Sequence, residues 1–109
     1  MDEIAGESGT VGRVEVTVDA AGVPVIKLSG EVDMSNAAEL QAEIVPVLEG
    51  SPPRVDFDLS GLMFMDSSGI ALLLRVAAKA GSVHLRDPSP LVRRMIEVTG
   101  LSDVLPIES

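Results

Sequence analysis

A strand that hands over to a helix through Asp66-Ser67-Ser68-Gly69 constrains this chain more than any other feature. Residues 55–59, Val-Asp-Phe-Asp-Leu, alternate apolar and acidic side chains as a strand does. Residues 70–80 form a run too long for a typical strand and rich in Leu and Ala, which predicts a helix. Met63-Phe64-Met65 and the Asp-Ser-Ser-Gly segment lie between them. The serines therefore fall on the first turn of the helix, where backbone N–H groups lack intrahelical partners and the helix dipole is positive. Two readings follow. Asp66 or Ser67 is a plain N-cap, or a serine is held where a phosphate would be well received. Spacing alone does not choose.

The rest of the chain supplies the setting. Residues 1–10 are acidic, contain glycine and show no period, as expected of a flexible tail; residues 11–109 are expected to make one domain. Residues 14–19 alternate cleanly, Ala20-Ala21-Gly22 reads as a turn, and residues 23–28 read as a second strand, giving an antiparallel hairpin. Ser29 to Asn36 reads as a polar loop, and Asn36 with Glu39 has the spacing of a capping box. Ala37, Leu40, Ile44 and Val47 then share a helical stripe, with Pro46 expected to kink or end the helix near Val45. After the central strand and helix, residues 82–86 make a short strand. Ser89 and Pro90 start a third helix, with Leu91, Met95 and Val98 expected to face inward. The strand–helix alternation predicts an α/β fold: a mixed sheet of about four strands, opening with the hairpin and continuing in parallel, with helices packed on it. Sites in such sheets gather beyond the carboxyl ends of strands. Asp33 and Asp66-Ser67-Ser68 both follow strands, which puts them at one end of the molecule.

Composition narrows the partners. Seventeen acidic residues against eight basic ones give a net charge of -9, which disfavours direct contact with nucleic acid or anionic membrane. Two Phe, no Tyr and no Trp leave no aromatic platform for stacking bases. With no cysteine there is no disulfide, thiolate metal site or thiol nucleophile. No apolar run is long enough to span a membrane and the acidic start is unlike a signal peptide, so the cytoplasm is expected.

Catalysis finds little support. His84, the one histidine, lies within a predicted strand, where a structural role is the expectation and a Ser-His-Asp triad is not. Asp33 with Asp66 lacks the Gly-rich, Lys-bearing loop of a phosphate-and-magnesium site, and Val18-Asp19-Ala20 lacks the acidic pair of a phospho-aspartate receiver. The chain is expected not to be an enzyme and to carry no cofactor or metal.

Gly30-Glu31-Val32-Asp33, Phe64-Met65-Asp66-Ser67-Ser68-Gly69, Pro90 with Val92-Arg93-Arg94, and Thr99-Gly100-Leu101 together resemble a STAS domain, and within that family the small stand-alone anti-sigma factor antagonists of bacteria. The resemblance spans nearly everything from Val14 to Leu105 and implies partner switching. In its unphosphorylated form such a protein binds an anti-sigma factor that is also a serine kinase, freeing a sigma factor for transcription; phosphorylation ends the binding and a serine phosphatase restores it. The phosphorylated serine maps to Ser68, with Ser67 as the runner-up. Asp33 matches a position on the same partner-facing surface, and Met34 and Ser35 join it by position. Asp66, Ser67, Ser68 and Gly69 complete the motif, with Met65 beside it and Leu72 on the helix that follows. Ile70, Leu73, Leu74 and Ala77 make one stripe, assigned to the core. Leu72 and Val76 lie on another side, near Arg75 and Lys79, where they are either covered by a neighbour or part of an apolar docking patch. Met63 and Met65 are open to the same two readings. A soluble STAS subunit regulating a transporter and a nucleotide- or ligand-sensing STAS module are the rival functions; a monomer and a weak dimer are both compatible with the sequence.

Overall fold

The computed structural model describes residues 11–108; the expected tail at residues 1–10 lies outside them. Five strands and three helices follow one another as β1 (Arg13–Val18), β2 (Pro24–Val32), α1 (Ala37–Leu48), β3 (Val55–Met65), α2 (Ser67–Lys79), β4 (Val83–Arg86), α3 (Pro90–Glu97) and β5 (Ile107–Glu108). The strands lie in the sheet in chain order, β1 antiparallel to β2 and every later pair parallel. The mixed α/β architecture is thus the expected one. It carries a fifth strand, at a carboxyl end too short and irregular to announce it.

Alternation along the strands sets the two faces of the sheet. Ile26, Leu28, Phe57, Leu59, Val83 and Leu85 point to one side and join Leu40, Ile44, Leu72, Leu73, Val76, Val92 and Ile96 from the helices in a single buried core. Lys27, Asp56, Asp58, His84 and Arg86 alternate with them, so the other face is polar. All three helices therefore cover one side of the sheet.

Several boundaries differ from the sequence reading. β2 continues through Ser29-Gly30-Glu31 to Val32, and β3 runs to Met65 where a loop was expected after Leu59. Two register shifts in the β2–β3 ladder, between Lys27 and Ser29 and between Gly30 and Glu31, each give β3 one extra residue. Gly30, at φ 78° and buried, occupies the left-handed conformation that makes the second shift cheap. Helix α1 does not stop near Val45: Pro46 sits in its last turn, where few hydrogen bonds remain to be lost. In α3 the inward stripe is Val92 and Ile96, with Met95 half-buried, while Leu91 and Val98 are exposed. Either phase satisfies the periodicity; the Ser89 side chain accepting the Val92 N–H, with Pro90 at the first helical position, fixes where the turn begins, and packing against β3 selects the other stripe.

Candidate functional site

The carboxyl ends of β2 and β3 meet where the Asp66 N–H donates to the Val32 carbonyl at 3.1 Å. That contact brings the β2–α1 loop alongside the first turn of α2, so Asp33 and the Asp66-Ser67-Ser68 segment share one end of the molecule as the strand order requires. The Asp66 side chain accepts the Ser68 N–H at 2.7 Å and caps α2. Ser67 and Ser68 occupy the first two helical positions. Ser67 is exposed and Ser68 half-buried, and neither hydroxyl is hydrogen-bonded among the described residues.

Gly69 explains how closely the helix sits on its strand. A Cβ at this position would lie 2.7 Å from the Met65 Cβ and 3.0 Å from its sulfur, closer than carbon and sulfur atoms pack. We expect Gly69→Ala to destabilise the fold by about 1–2 kcal/mol despite its better helix propensity, because α2 must lift away from β3. Urea denaturation checks this; a variant as stable as the parent would show that the helix shifts freely.

The β2–α1 loop is held by its own polar groups. The Asp33 carboxylate accepts the Ser35 hydroxyl at 2.5 Å and the Ser35 N–H at 2.9 Å. These bonds, the hydroxyl foremost, hold the Asp33 pKa below the usual carboxylate value against a small opposing effect of burial. Asn36 does not cap α1 with its side chain. Its Oδ1 accepts the Asp33 N–H at 3.0 Å and its Nδ2 donates to the Glu31 carbonyl at 2.8 Å, so the expected capping box is replaced by a brace across the loop. Met34 projects from this loop, 81% exposed.

Three expected docking residues, Met65, Gly69 and Leu72, are buried in the fold and withheld from a partner. Met65 and Leu72 are both fully buried, as is Val76 at 1% exposure. The helix presses its Leu72-Leu73-Val76 side into the core, while Ile70, Leu74 and Ala77 are only partly covered. The reason is visible in the neighbours: α2 packs on β3 and against α1, so its inward arc is wider than a single stripe. Met34 is the exposed apolar group that lines the same depression as the serines, and Met63 at 55% and Phe64 at 39% are exposed just before them in the chain. Met63 is the extra residue of the second bulge, and Phe64, paired with Glu31, alternates with buried Met65.

Between α1 and α2, Met34, Ala37, Ala38, Gln41, Ser67, Ser68, Ala71 and Arg75 line an open depression of about 560 Å³. Arg75 Nη1 donates to Gln41 Oε1 at 3.0 Å, and the pair walls this space off from a second one of about 410 Å³ lined by Val45, Leu48, Val76 and Lys79 among others. Sequence reasoning did not assign Gln41, Ala38 or Arg75 to the site. The signal was present in the 68, 71, 75 spacing, which places Ser68, Ala71 and Arg75 on one helical stripe.

His84 lies elsewhere, its Nδ1 2.6 Å from Glu108 Oε2 beside β5. Among the described residues the lining of the depression presents hydroxyls, a side-chain amide and a guanidinium, and includes no histidine or carboxylate to activate a serine. Among the described residues no helix is long and apolar enough to cross a membrane.

Comparison with known proteins agrees with this geometry. Residues 12–106 match the family described as "Mlab, STAS domain". An anti-sigma F factor antagonist of Lysinibacillus sphaericus is 37% identical over 82 residues, covering 71% of this chain and 70% of that protein. An anti-sigma factor antagonist from Mycobacterium paratuberculosis superposes with a TM-score of 0.80 at 34% identity, over 94% of this chain and 87% of that one. The anti-sigma factor antagonist SpoIIAA has been solved unphosphorylated, with a TM-score of 0.71 at 27% identity over 89% of each chain. In its phosphorylated form, from Bacillus, the TM-score is 0.67 at 25% identity over 89% of this chain and 92% of that one. These relatives bear the names of regulators and not of enzymes.

Proposed function

The chain belongs to the STAS family, and from that premise we propose that it is an anti-sigma factor antagonist operating by partner switching in the cytoplasm. Unphosphorylated, it binds an anti-sigma factor that is also a serine kinase, and the sigma factor is released. The kinase moves the γ-phosphoryl group of ATP to Ser68: an Oγ–P bond forms, the bond to ADP breaks, and the hydroxyl proton passes to the kinase. A serine phosphatase hydrolyses the ester and restores the docking form. The carrying observation is the position of Ser68, on the Asp66-capped first turn of α2 with its side chain on the rim of an open depression. The relative solved in both unphosphorylated and phosphorylated states supports the same reading.

Charge suffices for the switch. A phosphoserine carries about -1.5 to -2 charges, which the positive end of α2 tolerates and a surface matched to a neutral hydroxyl does not. Asp33, Met34 and Ser35 on one side and Asp66, Ser67 and Ser68 on the other form the docking face, and Met63 and Phe64 extend it. Incubation with the anti-sigma factor and ATP followed by peptide mass spectrometry tests the assignment. A single phosphate on Ser68 is expected, and none on the Ser68→Ala variant. Phosphate on Ser67 would move the switch by one residue, and no phosphate on either serine would refute it.

A further inference from the structure

Among the described residues Arg75 is the one guanidinium on the serine-bearing depression, and its hydrogen-bond partner is neutral. Its Nη1 donates to Gln41 Oε1 at 3.0 Å, whereas Arg54 and Arg86 at the other end of the sheet are bound to carboxylates. No acidic side chain pairs with Arg75 among the described residues. Ser68 and Arg75 are seven positions apart, about 20° short of two full turns, and their Cα atoms are separated along the helix axis by about 10 Å. Helical side chains lean toward the N-terminus, so the arginine extends toward Ser68. Ala71 stands between them on the stripe, and Ala37 and Ala38 face it from α1, so no bulky side chain fills the path. Ser67, one residue earlier, is rotated about 100° from Ser68 and about 80° from Arg75.

We propose that Arg75 is the internal counter-charge for phosphate on Ser68: on phosphorylation it leaves Gln41 and pairs with the phosphoryl oxygens. This rests on the phosphorylation reading above. The guanidinium exchanges a neutral amide oxygen for a doubly charged phosphate that can accept two parallel N–H bonds, so the exchange is favourable. The arginine side chain covers most of the gap and the phosphoryl group, standing beyond the Ser68 Oγ, closes the rest. Departure of Arg75 from Gln41 also removes the wall between the two α1–α2 depressions, so that the modified form differs from the unmodified one in shape as well as in charge.

The test uses the full chain with phosphoserine installed translationally at position 68, which makes it independent of any kinase. Phosphorus NMR follows the second ionisation of the phosphate, ordinarily near pH 6. In Arg75→Gln that ionisation should move up by about half a pKa unit, a threefold change in the proton equilibrium, with Arg75→Lys recovering much of the difference. The Gln41 side-chain amide signals should shift on phosphorylation in the parent and stay fixed in Arg75→Gln. Superimposable titrations of parent and Arg75→Gln, with both folded by circular dichroism, overturn the proposal. A chain that shows the Arg75 effect but is not phosphorylated at Ser68 by the anti-sigma factor would instead refute the functional reading and leave the pairing intact.

Discussion

Exchanging Arg86 for methionine should cost the fold about 2–3 kcal/mol at neutral pH and move its acid unfolding to higher pH. Asp56 is the reason. It lies on the polar face of β3, yet its side chain is only 1% exposed. Arg54 Nε reaches Oδ1 at 2.7 Å, while Arg86 reaches Oδ2 with Nε at 2.8 Å and Nη2 at 2.6 Å. Arg86 Nη2 also holds Asp19 of the β1–β2 turn at 3.0 Å, so one side chain joins the hairpin to the centre of the sheet. Removing it leaves a buried carboxylate with a single partner, which costs more than an exposed ion pair would, and Arg54 keeps the loss below that of a fully abandoned charge.

The pH dependence has a definite sign. Burial is the largest single influence on Asp56 and raises its pKa, but the hydrogen bonds from Arg54 and Arg86 together outweigh it, so the folded value lies below 3.8. A depressed carboxylate contributes stability above its unfolded pKa and loses that contribution as pH falls through the folded value. Without Arg86 the opposing influence of burial gains ground, the folded pKa rises, and the loss begins at higher pH. Urea denaturation at pH 7 and an acid titration by circular dichroism measure both effects. Stability within about 0.5 kcal/mol of the parent and an unmoved acid midpoint would mean that the network is dispensable. Asp56 begins β3 and Asp66 follows its end, which separates the network from the serines by about 30 Å. Loss of Arg86 should therefore leave docking unchanged in protein that remains folded.

What the sequence disclosed about this molecule divides along a physical line. Features carried by local spacing were legible: the hairpin, the Leu40–Ile44 stripe, the Asp66 cap and the carboxyl-end location of Asp33 and Ser68 all follow from alternation, helical period and strand direction. Features decided by packing across the chain were not. Leu72 and Val76 sit on a second helical stripe that only packing against β3 and α1 converts to core. Met65 ends a strand whose last residues look like a loop until Gly30 and two bulges are admitted. Leu91 and Val92 offer the third helix two equivalent phases. The Asp56 network joins residues up to 67 positions apart, as in the bond from Arg86 to Asp19, and nothing in the linear order marks it. Leu72 illustrates the cost of reading a helix by one stripe alone: hydrophobic residues on the less obvious side were offered to a partner when they were filling the centre.

Ser68→Asp should weaken binding to the anti-sigma factor by on the order of a hundredfold while shifting the melting temperature by no more than a few degrees. The two halves of this expectation have separate causes. Within the folded chain the new carboxylate lies in the first turn of α2, where negative charge gains about 0.3–1 kcal/mol from the helix dipole and so offsets repulsion from the neighbouring Asp66. Across an interface the same group must give up its water against a surface shaped for a hydroxyl, and an unpaired charge buried there costs about 3 kcal/mol or more. Aspartate brings one charge where phosphoserine brings up to two, so the variant sets a lower limit on the effect of the modification. Ser68→Ala, which removes the hydroxyl without adding charge, should bind as the parent does. Ser67→Asp, on an exposed residue at the outer edge, should lose less than Ser68→Asp. Titration calorimetry with the purified anti-sigma factor gives all four affinities under one buffer. If Ser68→Asp bound within threefold of the parent, charge at this helix start could not be what separates the docking form from the silent one.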